Sequence, residues 1–197
     1  GLQWHVTPNS QASGGRIILA IGNYAQLDDL QVTVLRDAIR DGNMPVDLLH
    51  CVSPLAIKVL ENGHRQSDLA KSFEAKTWDH WDAVDPETRR TFPRSASSLR
   101  IVQYESCRGL EGWTTVLDGL DDFWDLKRSA ILSNEGAVSG LVDPELHAQA
   151  VAWRWCMIPL TRPIDTLVIT LRNETSHLAQ VISSVAARMP DIVETIY

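Results

Sequence analysis

Five short aliphatic runs recur along this chain with helical or irregular stretches between them, and that alternation restricts the fold more than any other feature. The runs are residues 16–22 (RIILAIG), 46–52 (VDLLHCV), 99–104 (LRIVQY), 113–118 (WTTVLD) and 165–171 (DTLVITL). Each reads as a short buried strand. Between the first two, Leu27, Leu30, Val34 and Ala38 fall near helical spacing, with Asp28 and Asp29 in the first turn, Arg36 and Arg40 near the last, and Gly42 beyond. Those charges suit the helix macrodipole. Ser53-Pro54 predicts a helix carrying Ala56, Val59 and Leu60 and stopped by Gly63. Ser67 or Asp68 starts another, with Leu69 and Phe73 one turn apart. Asp143-Pro144-Glu145 starts a helix containing Leu146, Ala150, Trp153 and Met157. A last helix follows the 3.6 period through Leu178, Val181, Ile182, Val185, Ala186 and Met189, and Pro190 ends it. Strands alternating with helices predict an α/β fold, a parallel sheet with helices on both faces. Residues 1–15 read as a linker and 16–197 as one domain. Two stretches, 77–98 and 126–143, read as long loops or insertions. Ligands of such sheets sit beyond the carboxyl ends of the strands, so the residues just after Val52, Tyr104 and Asp118 are the expected places for a site.

Composition narrows the class. With 197 residues, 44% hydrophobic and 22% charged, the chain can bury one sizeable core. No run approaches the roughly 20 apolar residues of a membrane span, and the opening residues lack a secretory signal pattern. A chain that opens on Gly1 in place of Met is expected either to begin inside a longer one or to carry a tag scar. Cys51, Cys107 and Cys156 form no CxxC and leave an odd thiol, which points to a reducing, cytoplasmic setting. The histidines contain no HxxxH pair, and no metal site is expected. A net charge of −7 excludes a generally basic nucleic-acid coat while leaving room for a local basic strip. The seven tryptophans read as packing and interface anchors.

Most chemical motifs are missing or weak. The sequence has no GxxxxGK followed by Ser or Thr, so it lacks a P-loop of its own, and it has no GxGxxG. Glu74-Ala75-Lys76 matches a nuclease-like triplet but reads as a solvated helix face. The run Asp118, Asp121, Asp122 and Asp125 suits either a hard cation or, as the preferred reading, helix capping and a solvated face. Ser106-Cys107-Arg108-Gly109 follows a strand directly, as a nucleophile elbow would, with Arg108 placed to lower a thiol pKa. The surrounding pattern is not GxSxG, so a cysteine or serine hydrolase is the third reading.

Two segments carry more. Residues 101–124 contain a strand, then Ser106-Cys107-Arg108-Gly109-Leu110-Glu111, Trp113 and the strand Thr115-Val116-Leu117. Residues 153–171 contain a helix, the dipeptide Thr161-Arg162 and the strand Leu167 to Leu171. Together, in this order, they resemble two motifs of the second RecA-like domain of superfamily 1 helicases of the UvrD/Rep type. The resemblance covers residues 97–171 closely and 16–62 as a general strand–helix–strand match. It implies a RecA-like sheet without its own P-loop, acting as half of an ATP-dependent DNA motor. ATP and Mg²⁺ would be shared with a first RecA-like domain absent from this chain, so the domain alone would be inactive. Arg162 would be the arginine finger for the γ-phosphate, since a guanidinium fork suits charge spread over several oxygens. Glu111 would bind the ribose, with Gly109 and Arg108 beside it at the nucleotide. Gln103, Tyr104 and Ser106 would lie near the path that couples ATP to single-stranded DNA.

Departures from the family pattern mark a divergent member. Glu105 stands where histidine is frequent, Pro163 follows the arginine where a small residue is usual, and Arg154 lies between Trp153 and Trp155. The family's fourth-motif arginine has only Arg65 as a loose match. A non-catalytic interaction or regulatory domain with a decayed helicase fold is therefore the alternative. Structural roles stand beside the functional ones: Glu111 capping a turn, Arg162 paired with Asp165, and Gly109 and Gly112 shaping a loop.

Overall fold

In the computed structural model, residues 15–134 and 143–196 are described; the linker reading of residues 1–14 and the 135–142 part of the second loop lie outside the described residues. The elements in chain order are β1 (Arg16–Ile21), α1 (Asp28–Arg40), β2 (Leu48–Val52), β3 (Ile57–Val59), β4 (Arg65–Ser67), α2 (Asp68–Ala75), β5 (His80–Asp82), β6 (Leu99–Gln103), β7 (Gly112–Asp118), α3 (Leu120–Asn134), α4 (Pro144–Leu160), β8 (Pro163–Leu171), α5 (His177–Ala186) and β9 (Val193–Ile196). Seven strands form one sheet in the order β5-β6-β2-β7-β8-β1-β9, and every pairing is parallel. The fold is thus α/β, consistent with the RecA-like arrangement.

Side-chain alternation along the strands divides the interior into two cores. Ile18, Leu48, Ile101, Val116 and Val168 face α1 and α2, meeting Val34, Leu69 and Phe73. Leu19, Leu49, Val102, Leu117 and Ile169 face α3, α4 and α5, meeting Phe123, Cys156 and Leu178. Helices therefore cover both faces, as expected from runs with no polar side. Local caps fix three of the helix starts: Ser67, Asp143 and Ser176 each accept a hydrogen bond from a backbone N–H of the first turn.

Three expectations are corrected and one element is added. Residues 53–63 are not a helix: Ser53 caps a single 3-10 turn, Pro54–Ala56, and β3 then pairs antiparallel with β4. Val59 is 70% and Leu60 38% exposed, so these side chains make no apolar face that a helix could bury. The loop expected at 77–98 contains β5, a three-residue edge strand. The loop expected from residue 126 is the second half of α3 as far as Asn134. The fourth change is β9, a short edge strand beside β1 that the sequence reading lacks.

One core residue carries a pH dependence. His50, on β2, is 1% exposed and packs against Tyr24 and the edge of Phe73. Its Nδ1 lies 3.1 Å from the Arg100 carbonyl, which requires the neutral ring to donate from that nitrogen. Burial pushes the imidazole down to about 4. The unfolded chain then binds the extra proton between about pH 6.5 and 4, so stability is full above that window and falls as pH drops through it. The expected loss is roughly 3 kcal/mol. Urea denaturation across that range checks it, and His50→Phe should flatten the pH dependence.

Candidate functional site

Strand order forces an unusual connection. β6 and β7 both run parallel to β2 and lie on either side of it, so the chain leaving the carboxyl end of β6 must cross the sheet face to reach the amino end of β7. Residues 104–111 do this with a 3-10 turn at Tyr104–Ser106 and no α-helix. Leu110 N donates to Cys107 O, and Gly109 takes φ +82°, a left-handed conformation that favours glycine. At Gly112 a Cβ would stand 2.8 Å from both Leu49 Cβ and Thr114 O, so only glycine fits as the segment enters β7. These contacts show the loop-shaping role of both glycines, and they deliver Glu111 to the amino edge of the sheet.

Arg162 reaches the same edge from the other direction. Thr161 closes α4, its hydroxyl donating to the carbonyls of Met157 and Ile158. Gly112 pairs in register with Pro163, and its N–H donates to Arg162 O at 3.1 Å. Glu111 and Arg162 are therefore next to each other across adjacent strands, although far apart in sequence. The Arg162 guanidinium donates from Nε to Ile158 O (3.0 Å), from Nη1 to Leu110 O (3.4 Å) and from Nη2 to Thr161 Oγ1 (2.9 Å). The pair with Asp165 is not formed; that carboxylate accepts from Thr166 Oγ1 instead. Glu111 is exposed, and among the described residues its carboxylate enters no hydrogen bond or ion pair, so no turn-capping role is seen. Arg108 and Gly109 are exposed on the same crossover.

A third residue of this edge was not legible in sequence. Arg100, near the start of β6, donates from Nη2 to Glu111 O at 2.7 Å while its Nε is buried without a partner. Burial lowers its pKa. Arg100 and Arg162 thus hold the consecutive carbonyls of Glu111 and Leu110 from β6 and from the start of β8. No ion pair among the described residues includes Arg100, Arg108 or Arg162. Its only signal in the sequence is an arginine inside an apolar strand. Trp113, Ile164 and Met157 add exposed apolar surface near the same edge.

The carboxyl edge, where the general rule placed a site, is closed over β7. Asp118 accepts from Tyr24 N, Thr170 Oγ1 and Arg172, and Asp121 accepts from the backbone N–H groups of Arg172 and Asn173. Arg172 also donates to Gly22 O, tying the ends of β1, β7 and β8 together. Asp118 and Asp121 are buried in a structural network and not on a solvated face, while Asp122 reaches Arg172 at 3.6 Å; no group of three or more metal-ligating side chains occurs among the described residues. Gln103, Tyr104 and Ser106 lie at the carboxyl end of β6, the opposite edge from Glu111 and Arg162. Tyr104 is 1% exposed, stacks on Phe123 and donates its hydroxyl to Asp118 O. It is a core residue that offers no ring face to a base. Glu105 pairs with Lys127, whose ammonium lies over the Trp155 ring. Arg65 sits on the β3–β4 hairpin, whose Ser67 bonds Asp82 at the carboxyl end of β5, so it is remote from Arg162.

The hydrolase reading loses its access. Cys107 is 0% exposed and donates its thiol to Tyr104 O. Its pKa is lowered first by the hydrogen bond with the buried Cys51 thiol, and Arg162 adds to this; Arg108 is not among the causes. Glu74 and Lys76 turn to separate partners, Gln66 and Asp28.

What the amino edge offers chemically is, among the described residues, a planar fork bound to neutral oxygens and, on the neighbouring chain segment, a carboxylate that no hydrogen bond or ion pair engages. The fork suits an oxyanion with several oxygens, and the carboxylate suits a hydroxyl donor. Among the described residues no helix is long and apolar enough to cross a membrane. Comparison with protein-family models, with curated proteins and with solved structures finds no match to the chain.

Proposed function

We propose that this chain is the second motor domain of a superfamily 1 helicase-like protein, supplying Glu111 and Arg162 to an ATP site shared with a first RecA-like domain. The observation that carries this reading is the register of β7 and β8, which sets the two motif residues side by side at one exposed edge. The residues fit the group: among the described residues Arg162 enters no ion pair and the Glu111 carboxylate enters no hydrogen bond or ion pair. ATP supplies a γ-phosphoryl group whose transfer to water releases free energy, with Mg²⁺ and the phosphates held by the other domain.

Within this chain, Glu111 accepts from a ribose hydroxyl and so orients the nucleotide. Arg162 exchanges carbonyl acceptors for phosphoryl oxygens, and its charge counts most where negative charge develops. Arg100 keeps the Glu111 backbone in place. Trp113, Ile164 and Met157 give the first domain apolar surface to close against. Gln103 and Ser106, at the other end of the crossover, face single-stranded DNA. The setting is cytoplasmic, in keeping with three cysteines that are all free.

Calorimetry on the full-length protein tests the site. Glu111→Ala is expected to weaken nucleotide binding by about 1–3 kcal/mol, the scale of a hydrogen bond to a charged group. Unchanged affinity removes the ribose role. The same apolar edge also suits a non-catalytic interaction domain; a full-length protein that binds its partner through Trp113 and never hydrolyses ATP would favour that reading.

A further inference from the structure

The insertion between β5 and β6 carries a feature that the amino-edge site does not use. From Thr88 the chain returns toward the amino end of β6, which runs parallel to β5. Trp81 Nε1 donates to Thr88 O at its start, and Ser97 and Ser98 donate to Asp79 at its end. Residues 88–104 contain four arginines and no Asp or Glu, in a chain whose net charge is −7. Arg89, Arg90 and Arg94 are exposed, and no ion pair among the described residues includes any of them. Between Arg90 and Arg94 stands Phe92, 87% exposed, the most exposed large hydrophobic side chain of the described residues. Its ring contacts no other described ring.

The guanidinium of Arg89 is held in place at the carboxyl edge. Its Nε donates to Ala83 O at 3.1 Å and its Nη1 to Ser106 Oγ at 3.2 Å. Ser106 lies in the crossover that leads to Glu111, so the strap and the crossover share a hydrogen bond. Beside the strap, a cleft of about 440 Å³ is lined by Trp81, Thr88, Thr91 and Arg94, with Glu87 and Asp79 as its acidic members. The Asp79 carboxylate is already engaged by the two serines.

We propose that the strap of residues 88–94 is a binding site for single-stranded nucleic acid, with Arg89, Arg90 and Arg94 on phosphates and Phe92 stacked on a base. Cations that track a backbone, interleaved with an exposed ring, are the requirements for holding an unpaired strand without reading its sequence. A duplex keeps its base faces stacked on one another and leaves Phe92 without a partner. Nucleic acid as the ligand rests on the motor reading, but the strap is a separate surface from Glu111 and Arg162.

Fluorescence anisotropy of a labelled oligothymidylate, titrated with this 197-residue chain, tests the site without nucleotide. Phe92→Ala should weaken binding roughly 5- to 150-fold, and Phe92→Trp should restore it. The double variant Arg90→Ala/Arg94→Ala should reduce the slope of log affinity against log salt by about 1.4, at about 0.7 per phosphate contact. Lys71→Ala, an exposed cation on α2, is the charge control and should change little. Wild type that fails to bind, variants that match the control, or a duplex bound as tightly as the single strand each overturn the proposal. So does Phe92-dependent binding to phosphatidylserine vesicles in place of the oligonucleotide. Loss of binding in the strap variants together with inert Glu111 and Arg162 variants would leave the strap standing and remove the motor.

Discussion

In the full-length protein, Arg162→Ala should lower ATP turnover by on the order of 10³-fold or more while changing ATP affinity only a few-fold. The reason is where the guanidinium rests without ligand. Its three donors point at two carbonyls and a hydroxyl, none of them charged, so moving to a phosphoryl oxygen breaks no ion pair. A contact that strengthens as negative charge develops lowers kcat rather than raising KM. Arg162→Lys should rescue little, because an ammonium cannot bridge two oxygens with a planar fork. The same hydrogen bonds also secure the end of α4 and the Leu110 carbonyl, so a loss of about 1–2 kcal/mol in stability is expected alongside. Turnover, ATP affinity and melting temperature measured together separate the two effects. A variant that melts lower yet turns over ATP at near-normal rates would assign Arg162 to structure alone and withdraw the motor reading.

The readable parts of this fold are those whose burial is complete or whose period is long. β1, β2, β6, β7 and β8 are covered on both faces, so their apolar runs have no competing explanation. α2, α4 and α5 announce themselves through caps and apolar spacing, and α1 through apolar spacing and the charges at its two ends. Hidden from sequence were elements whose stability comes from a neighbour. β5 reads His80-Trp81-Asp82 and β9 reads Val193 to Ile196, too short to show alternation, and each exists because the adjacent strand offers an open edge. In α3 the acidic residues dominated the pattern, although Leu120, Phe123 and Trp124 form a buried stripe against α4 and α5. The site was half legible. Motif resemblance named Glu111 and Arg162, but their meeting depends on β7 and β8 being neighbours, and strand order is not written in local sequence. Nor was the edge: the rule that ligands lie beyond carboxyl ends pointed to Asp118, where the chain's own arginine already sits. Arg100 was missed because its role is to hold a backbone carbonyl across the sheet.

Asp118→Ala should destabilise the domain by about 3–5 kcal/mol, the scale for removing one member of a buried ion pair. Asp118 is 1% exposed, and it satisfies Tyr24 N and Thr170 Oγ1 as well as Arg172. Taking the carboxylate away leaves all three donors short of an acceptor, and Arg172 keeps only the Gly22 carbonyl and the longer Asp122 contact at 3.6 Å. Asp118→Asn preserves an acceptor for the neutral donors and should cost less than the alanine variant, the difference measuring the bonds rather than the charge. Combining Asp118→Ala with Arg172→Ala should cost less than the sum of the two, with a coupling of about 0.5–3 kcal/mol, since residues in one network are not additive. Chemical denaturation of the wild type and the four variants gives these values. The same carboxylates could also suit a hard cation, and the two roles separate cleanly. A structural latch melts at the same temperature with or without added Mg²⁺ or Ca²⁺, whereas a metal site is stabilised increasingly, with the logarithm of the ion concentration above its Kd. A metal-dependent rise in melting temperature that Asp118→Ala abolishes would reopen the carboxyl edge as a functional surface. Without it, Arg172 and Asp118 occupy the space over β7, and the proposed nucleotide is left the amino edge, where among the described residues Arg162 enters no ion pair.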